Sequence, residues 1–154
     1  MLNEGDPVPN PVVETPEGKS VKLLDHAKAP FVVYFYPKDD TSGCTKEAQD
    51  FTALAARFAT AGVPVIGISK DPPKKHRAFT EKYGLEVDLL SDSDGSACEA
   101  FGTWIEKSMY GRKYMGIDRA TFLIGRDGRI ARIWRKVKVP GHAEEVLAAA
   151  TTLG

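Results

Sequence analysis

One of the chain's two cysteines, Cys44, stands in the stretch YPKDDTSGCTKEAQDF, residues 36–51. It follows the apolar run FVVYFY (31–36), and Pro37 has no N–H with which to extend a strand. Asp39, Asp40, Thr41 and Ser42 are all residue types that cap helix N-termini. Cys44 therefore falls in the first turn of the next helix, facing unpaired backbone N–H groups and the positive end of the helix dipole. Both favour a thiolate, the nucleophilic and oxidisable form of cysteine. Its neighbours Gly43 and Thr45 are not those of a thiol packed as a small hydrophobe. Thr41 stands three residues before Cys44 and Glu47 three after, so no C-x-x-C dithiol pair exists here. The Thr41 hydroxyl can hydrogen-bond a thiolate or a bound substrate oxygen.

The elements that must hold this loop follow from pattern. PVVETPEGKSVKL reads as an N-terminal hairpin turning at Pro16-Glu17-Gly18. FVVYFY, β-branched and aromatic without alternation, suits a central strand buried on both faces. Residues 44–60 carry helical spacing through Ala48, Phe51, Leu54, Ala55 and Phe58. VPVIGIS (63–69) is a second buried strand. Pro72-Pro73 opens a helix that Gly84 stops. Leu89 and Leu90 end a short strand, and 94–102 form a short helix. TFLI, a turn at Arg126-Asp127-Gly128 and an alternating strand form a hairpin, and GHAEEVLAAATTL closes the chain as a helix. This order predicts an α/β protein: a thioredoxin-like fold with a central mixed sheet flanked by helices, in one domain over 1–154. Right-handed crossovers place Cys44 at the carboxyl end of the FVVYFY strand, where open α/β sheets bind ligands.

Composition narrows the function. The 154 residues include 42% hydrophobic and 27% charged, with Lys plus Arg equal to Asp plus Glu at 21 each. That balance gives no argument for nucleic acid or an anionic membrane. No apolar run approaches the roughly 20 residues of a membrane span. The N-terminus MLNEGDPVPNP lacks the basic and apolar regions of a signal peptide, so the expected location is cytoplasmic, where two cysteines stay free thiols. His26, His76 and His142 pair with no cysteine or carboxylate at ligand spacing. They are expected at helix ends or on the surface, with no metal site and no cofactor. Arg132, Arg135, Lys136 and Lys138 read as a solvated face of one late strand. Trp104, Met109, Tyr110 and Tyr114 suit a pocket lining, a partner surface or the core.

PKDDTSGCT resembles the P-x-x-x-T-x-x-C active-site motif of peroxiredoxins. The longer YPKDDTSGCTKEA is similar to the bacterioferritin comigratory protein, or Q, branch. GDPVPNP, GISKD, LLSDSDG, KSMYGRKYMGIDRATFLI and WRKVKVPGHAEEVL extend the likeness along nearly the whole chain. The resemblance implies a thiol-dependent peroxidase acting on hydrogen peroxide and organic hydroperoxides. It implies Cys44 as peroxidatic nucleophile, Pro37 and Thr41 shaping its pocket, and Arg119 in IDRATF as the active-site arginine. It also implies a monomer and reduction by thioredoxin or a similar small thiol.

The chain departs from that branch at resolution. Gln49 fills the usual resolving slot five residues after Cys44, and Thr80 fills the alternative in the later helix. Cys98 is then either a helix residue packing on Phe101 or a relocated resolving cysteine. If it does not resolve, the cycle is one-Cys. Two other classes stay in view. A copper-delivery factor on this fold would carry C-x-x-x-C, but Ala48 stands there. A non-enzymatic thioredoxin-like binding module would show no peroxide-dependent loss of the Cys44 thiol.

Overall fold

The computed structural model describes residues 2–153. The hairpin expected at the N-terminus is β1 (Val12–Glu14) and β2 (Ser20–Lys22), followed by α1 (Leu23–His26), a single turn the sequence pattern did not reveal. The run FVVYF becomes β3 (Phe31–Phe35), five buried residues in succession. The single helix expected over 44–60 is two: α2 (Ser42–Ala53) and α3 (Ala55–Ala61). They break at Leu54, whose N–H bonds to Phe51 O at 3.1 Å in a tighter, three-residue turn. β4 (Val65–Ser69), α4 (Pro73–Tyr83), β5 (Asp88–Ser91) and α5 (Ser96–Ala100) follow as the pattern predicts.

Next come β6 (Trp104–Met109) and β7 (Arg112–Ile117), a hairpin absent from the sequence reading. β8 (Ala120–Ile124), β9 (Ile130–Trp134) and α6 (His142–Thr151) complete the chain. The main sheet runs β2-β1-β5-β4-β3-β8-β9, with β6-β7 a separate ribbon. β3 pairs parallel with β4 and antiparallel with β8. The mixed, helix-flanked, thioredoxin-like layout is thus borne out, and β3 lies inside the sheet.

Because side chains alternate along β3, two cores form. Val32, Tyr34 and Tyr36 face a cluster containing Phe51, Phe58, Phe79 and Val146, from α2, α3, α4 and α6. Phe31, Val33 and Phe35 face a cluster containing Phe101, Phe122 and Ala97. Tyr34 stacks on Phe51 with centroids 4.8 Å apart. Its ring occupies the space a side chain at position 67 would need: a Cβ on Gly67 would lie 2.8 Å from it. Among the described residues no helix is long and apolar enough to cross a membrane.

Candidate active site

β3 delivers the chain to Tyr36, and the register Phe35↔Ala120 brings Arg119, one residue earlier than β8, to the same edge. Between Tyr36 and α2 the loop is tied down twice. Asp39, buried, receives the Tyr36 hydroxyl at 2.6 Å, faces His76 Nδ1 at 2.6 Å, and donates its own N–H to Asp71 Oδ2 at 2.8 Å. Asp40 takes a left-handed φ of 60° and accepts from Lys82 Nζ at 2.8 Å and Tyr83 OH at 2.6 Å. Both ties reach α4 or the connection that leads into it.

Thr41 occupies the N-cap position of α2, but its hydroxyl does not cap. Instead it donates to Lys38 O at 2.9 Å. With its proton directed there, the oxygen's lone pairs are left to accept. The first-turn amides keep their N–H groups open toward the loop, since no side chain caps them. Pro37 ends β3 as expected and is exposed.

Cys44, 2% exposed, lies in this first turn. Arg119 Nη2 donates to its Sγ at 3.4 Å, and Nη1 donates to Glu47 Oε1 at 2.7 Å. The arginine is 17% exposed and the glutamate 1%. Gly43 permits the approach, because a Cβ there would stand 3.2 Å from Arg119 Nη2. Burial lifts the Glu47 carboxyl to about 7, against the pull of Arg119. Its Oε2 is buried without a partner, as is the Tyr34 hydroxyl below. Glu47 entered the sequence reading only as the residue that breaks C-x-x-C. Its i+3 spacing from Cys44 on one helix face was the signal that could have found it.

The structure therefore gathers Cys44, Arg119, Thr41 and Glu47 at one sheet edge. Cys98 is elsewhere. It is fully buried in α5, in the cluster with Phe35, Phe101 and Phe122, on the sheet face opposite Cys44. Burial, with Asp92 beside it, pushes its thiol up to about 12. Both cysteines are free.

Several expectations need correcting. His76 is neither at a helix end nor on the surface, being 0% exposed, whereas His142 does stand at a helix end, the first residue of α6, but is buried. His76 lies within α4 with Nε2 3.0 Å from Leu90 O, and His142 bonds Thr121 Oγ1 at 2.8 Å. His76, Asp39 and Asp71 place ligand-type atoms within 4.8 Å of one another, a grouping that sequence spacing did not reveal. Its atoms are engaged by protein partners, Ser69 and Tyr36 included, so the residues fit a hydrogen-bond network better than a cation cage. Of the late basic residues only Arg132 lies in β9. Arg135 is partly buried, donating to Phe101 O and Gly102 O. Met109, Tyr110 and Tyr114 are exposed ribbon residues, not core.

A thiol held under a guanidinium at a helix start can attack an electrophilic oxygen while the arginine steadies the departing charge. Comparison with known proteins agrees. The AhpC/TSA family model matches residues 5–133. The chain is 48% identical over 132 residues to peroxiredoxin Bcp of Xanthomonas campestris, covering 86% of this chain and 82% of that protein. It is 44% identical over 143 residues to peroxiredoxin Bcp of Bacillus subtilis, covering 93% and 91%. A solved structure of the X. campestris bacterioferritin comigratory protein, described for its alkyl peroxide reduction activity, superposes with TM-score 0.85. Identity is 43%, over 94% of this chain and 97% of that one. The chain belongs to the AhpC/TSA family and, within it, to the Bcp or peroxiredoxin Q group.

Proposed function

We propose that this peroxiredoxin reduces hydrogen peroxide and organic hydroperoxides through Cys44. The observation that carries the reading is the 3.4 Å contact between Arg119 Nη2 and Cys44 Sγ in the first turn of α2. The thiolate sulfur attacks one peroxide oxygen: an S–O bond forms, the O–O bond breaks, and the second oxygen leaves as hydroxide or alkoxide and takes a proton. Cys44 becomes a sulfenic acid. Arg119 carries a charge that does not titrate near neutrality and aims planar donors at the leaving oxygen. Thr41, its proton held by Lys38 O, accepts from the hydroxyl of the incoming peroxide. Glu47 holds the other arm of Arg119 and so fixes the plane of the fork. Pro37 ends β3 and shapes the mouth of the pocket.

Reduction of the sulfenic acid requires thiols from outside. Cys98 is buried across the sheet, which supports a one-Cys cycle recycled by thioredoxin or a similar small thiol. Two unbridged cysteines support work in a reducing compartment such as the cytoplasm. The Q-type resemblance supports a monomer. One equivalent of hydrogen peroxide should consume the Cys44 thiol and add about 16 Da to the intact mass, as sulfenic acid formation requires. The Cys44→Ser variant should show neither. Peroxide turnover that survives in Cys44→Ser would overturn the reading.

A further inference from the structure

The ribbon β6-β7 pairs with no strand of the main sheet. Its base is closed by Asp118 N–H donating to Thr103 O at 2.7 Å, and Arg119 is the next residue. The register Lys107↔Tyr114 and Met109↔Arg112 puts these four side chains on one face. That face rises from the strand end that leads directly into Arg119, and its Lys107 is only partly exposed; burial draws the Lys107 ammonium below its ordinary value. Met109 is 57% exposed and Tyr114 44%. At the tip Tyr110 is 99% exposed with φ 51°, followed by Gly111 at φ 78°. Such a turn favours Asn, Asp or Gly, and an L side chain is strained in this conformation. Nothing inside the molecule repays a bare aromatic ring there.

The charge is uneven too. Residues 104–117 hold three basic side chains and one acidic. The acid, Glu106, is 3.6 Å from Lys113 and lies on the other face, so the face of Lys107 and Arg112 carries no carboxylate of the ribbon. Exposed Lys136 adjoins the ribbon's base, its N–H 3.5 Å from Asp118 Oδ2. The whole chain is neutral, so this basic, aromatic strip is a matter of placement. A second copy meeting the same face would set like charges together.

We propose that the Lys107–Tyr114 face and the tip of the β6-β7 ribbon (Lys107, Met109, Tyr110, Arg112, Tyr114), with Lys136, dock an acidic-surfaced dithiol protein that reduces oxidised Cys44. The inference rests on the peroxidase reading above and names the reductant's landing site. The docked partner's first thiolate attacks the Cys44 sulfenic sulfur. An S–S bond forms, the S–O bond breaks, and hydroxide leaves as water with a proton. The partner's second thiolate then attacks its own first sulfur, releasing Cys44 as thiolate and leaving the partner oxidised by two electrons. Because Cys44 is buried, the first turn of α2 must open during the exchange.

The test uses the full chain, a bacterial thioredoxin kept reduced by its reductase, and dithiothreitol as an uncharged control. Tyr110→Ala and Arg112→Glu should each raise the KM for thioredoxin tenfold or more, and Arg112→Glu, which reverses a charge, should also flatten its dependence on salt. Dithiothreitol-supported turnover and the single-turnover peroxide burst should not change. A normal burst with an unchanged thioredoxin KM in both variants overturns the docking site. Dimer dissociation on Tyr110→Ala, or loss of binding to anionic vesicles, also overturns it by assigning the surface to another occupant. Absence of the burst in the wild type overturns the peroxidase reading itself.

Discussion

Cys44 and Cys98 lie on opposite faces of the central sheet, the first packed with Tyr34 and the second with Phe35, neighbours on one strand. A disulfide needs Cα atoms within about 7 Å, and a layer of paired backbone stands between these two. One equivalent of peroxide should therefore leave a sulfenic acid, and excess peroxide should carry it to sulfinic acid. A non-reducing mass about 2 Da below the reduced protein, the signature of a disulfide, would contradict this. Cys98→Ser should lower stability by about 1 kcal/mol, since it trades a sulfur packed among Phe rings for a hydroxyl whose partner is Asp92. Turnover with dithiothreitol should hold.

Arg119 serves two partners, so its variants should separate rate from structure. Arg119→Ala should slow Cys44 oxidation by about 10²–10³, the usual loss when one charge-stabilising donor is removed. Arg119→Lys should recover little, because one ammonium cannot meet both Cys44 and Glu47 in a plane. With the arginine gone, the Glu47 carboxyl should titrate above about 7, which side-chain carbon NMR can follow. Near-normal oxidation kinetics in both variants would make the arginine structural.

His76 pins the loop before Cys44 from beneath, through Asp39. His76→Leu would leave a buried carboxylate with only the Tyr36 hydroxyl on its side chain. The expected loss is about 3–5 kcal/mol, typical of breaking one side of a buried pair. Amides of residues 37–44 should exchange with solvent disproportionately fast. Equal acceleration throughout the chain would show that the clamp has no local role.

How legible this was in the sequence depended on the range of each interaction. Cys44 could be placed from its immediate neighbours, because strand end, proline and cap types are local signals. Arg119 is 75 residues from Cys44. No periodicity marks it, and only the resemblance of IDRATF pointed there. The β6-β7 ribbon escaped notice because both of its faces are largely exposed, which erases the apolar–polar alternation that reveals a strand. Its Tyr-Gly turn also lacks the usual Asn or Asp. His76 sits among Lys74, Lys75 and Arg77, so its helix looked polar there. Its burial comes from Asp39 and Leu90, which the fold alone brings near.

Glu47 and His142 should oppose each other as pH changes. The folded Glu47 carboxyl keeps its proton to about 7, whereas an unfolded one releases it near 4.5. Between those values the native state binds more protons, so stability falls as pH rises. His142 runs the other way. Burial lowers its ring from 6.5 to about 4, so the unfolded chain takes a proton that the native state refuses. Its contribution is present above 6.5 and is lost as pH falls toward 4. From about 4.5 to 6.5 the two slopes cancel in the wild type. Glu47→Gln can still accept from Arg119, but its stability should fall on acidification through that window. His142→Gln can still bond Thr121, but its stability should rise over the same range. Urea denaturation at half-unit pH steps would read both slopes. Parallel curves for the two variants would show that neither group carries the linkage.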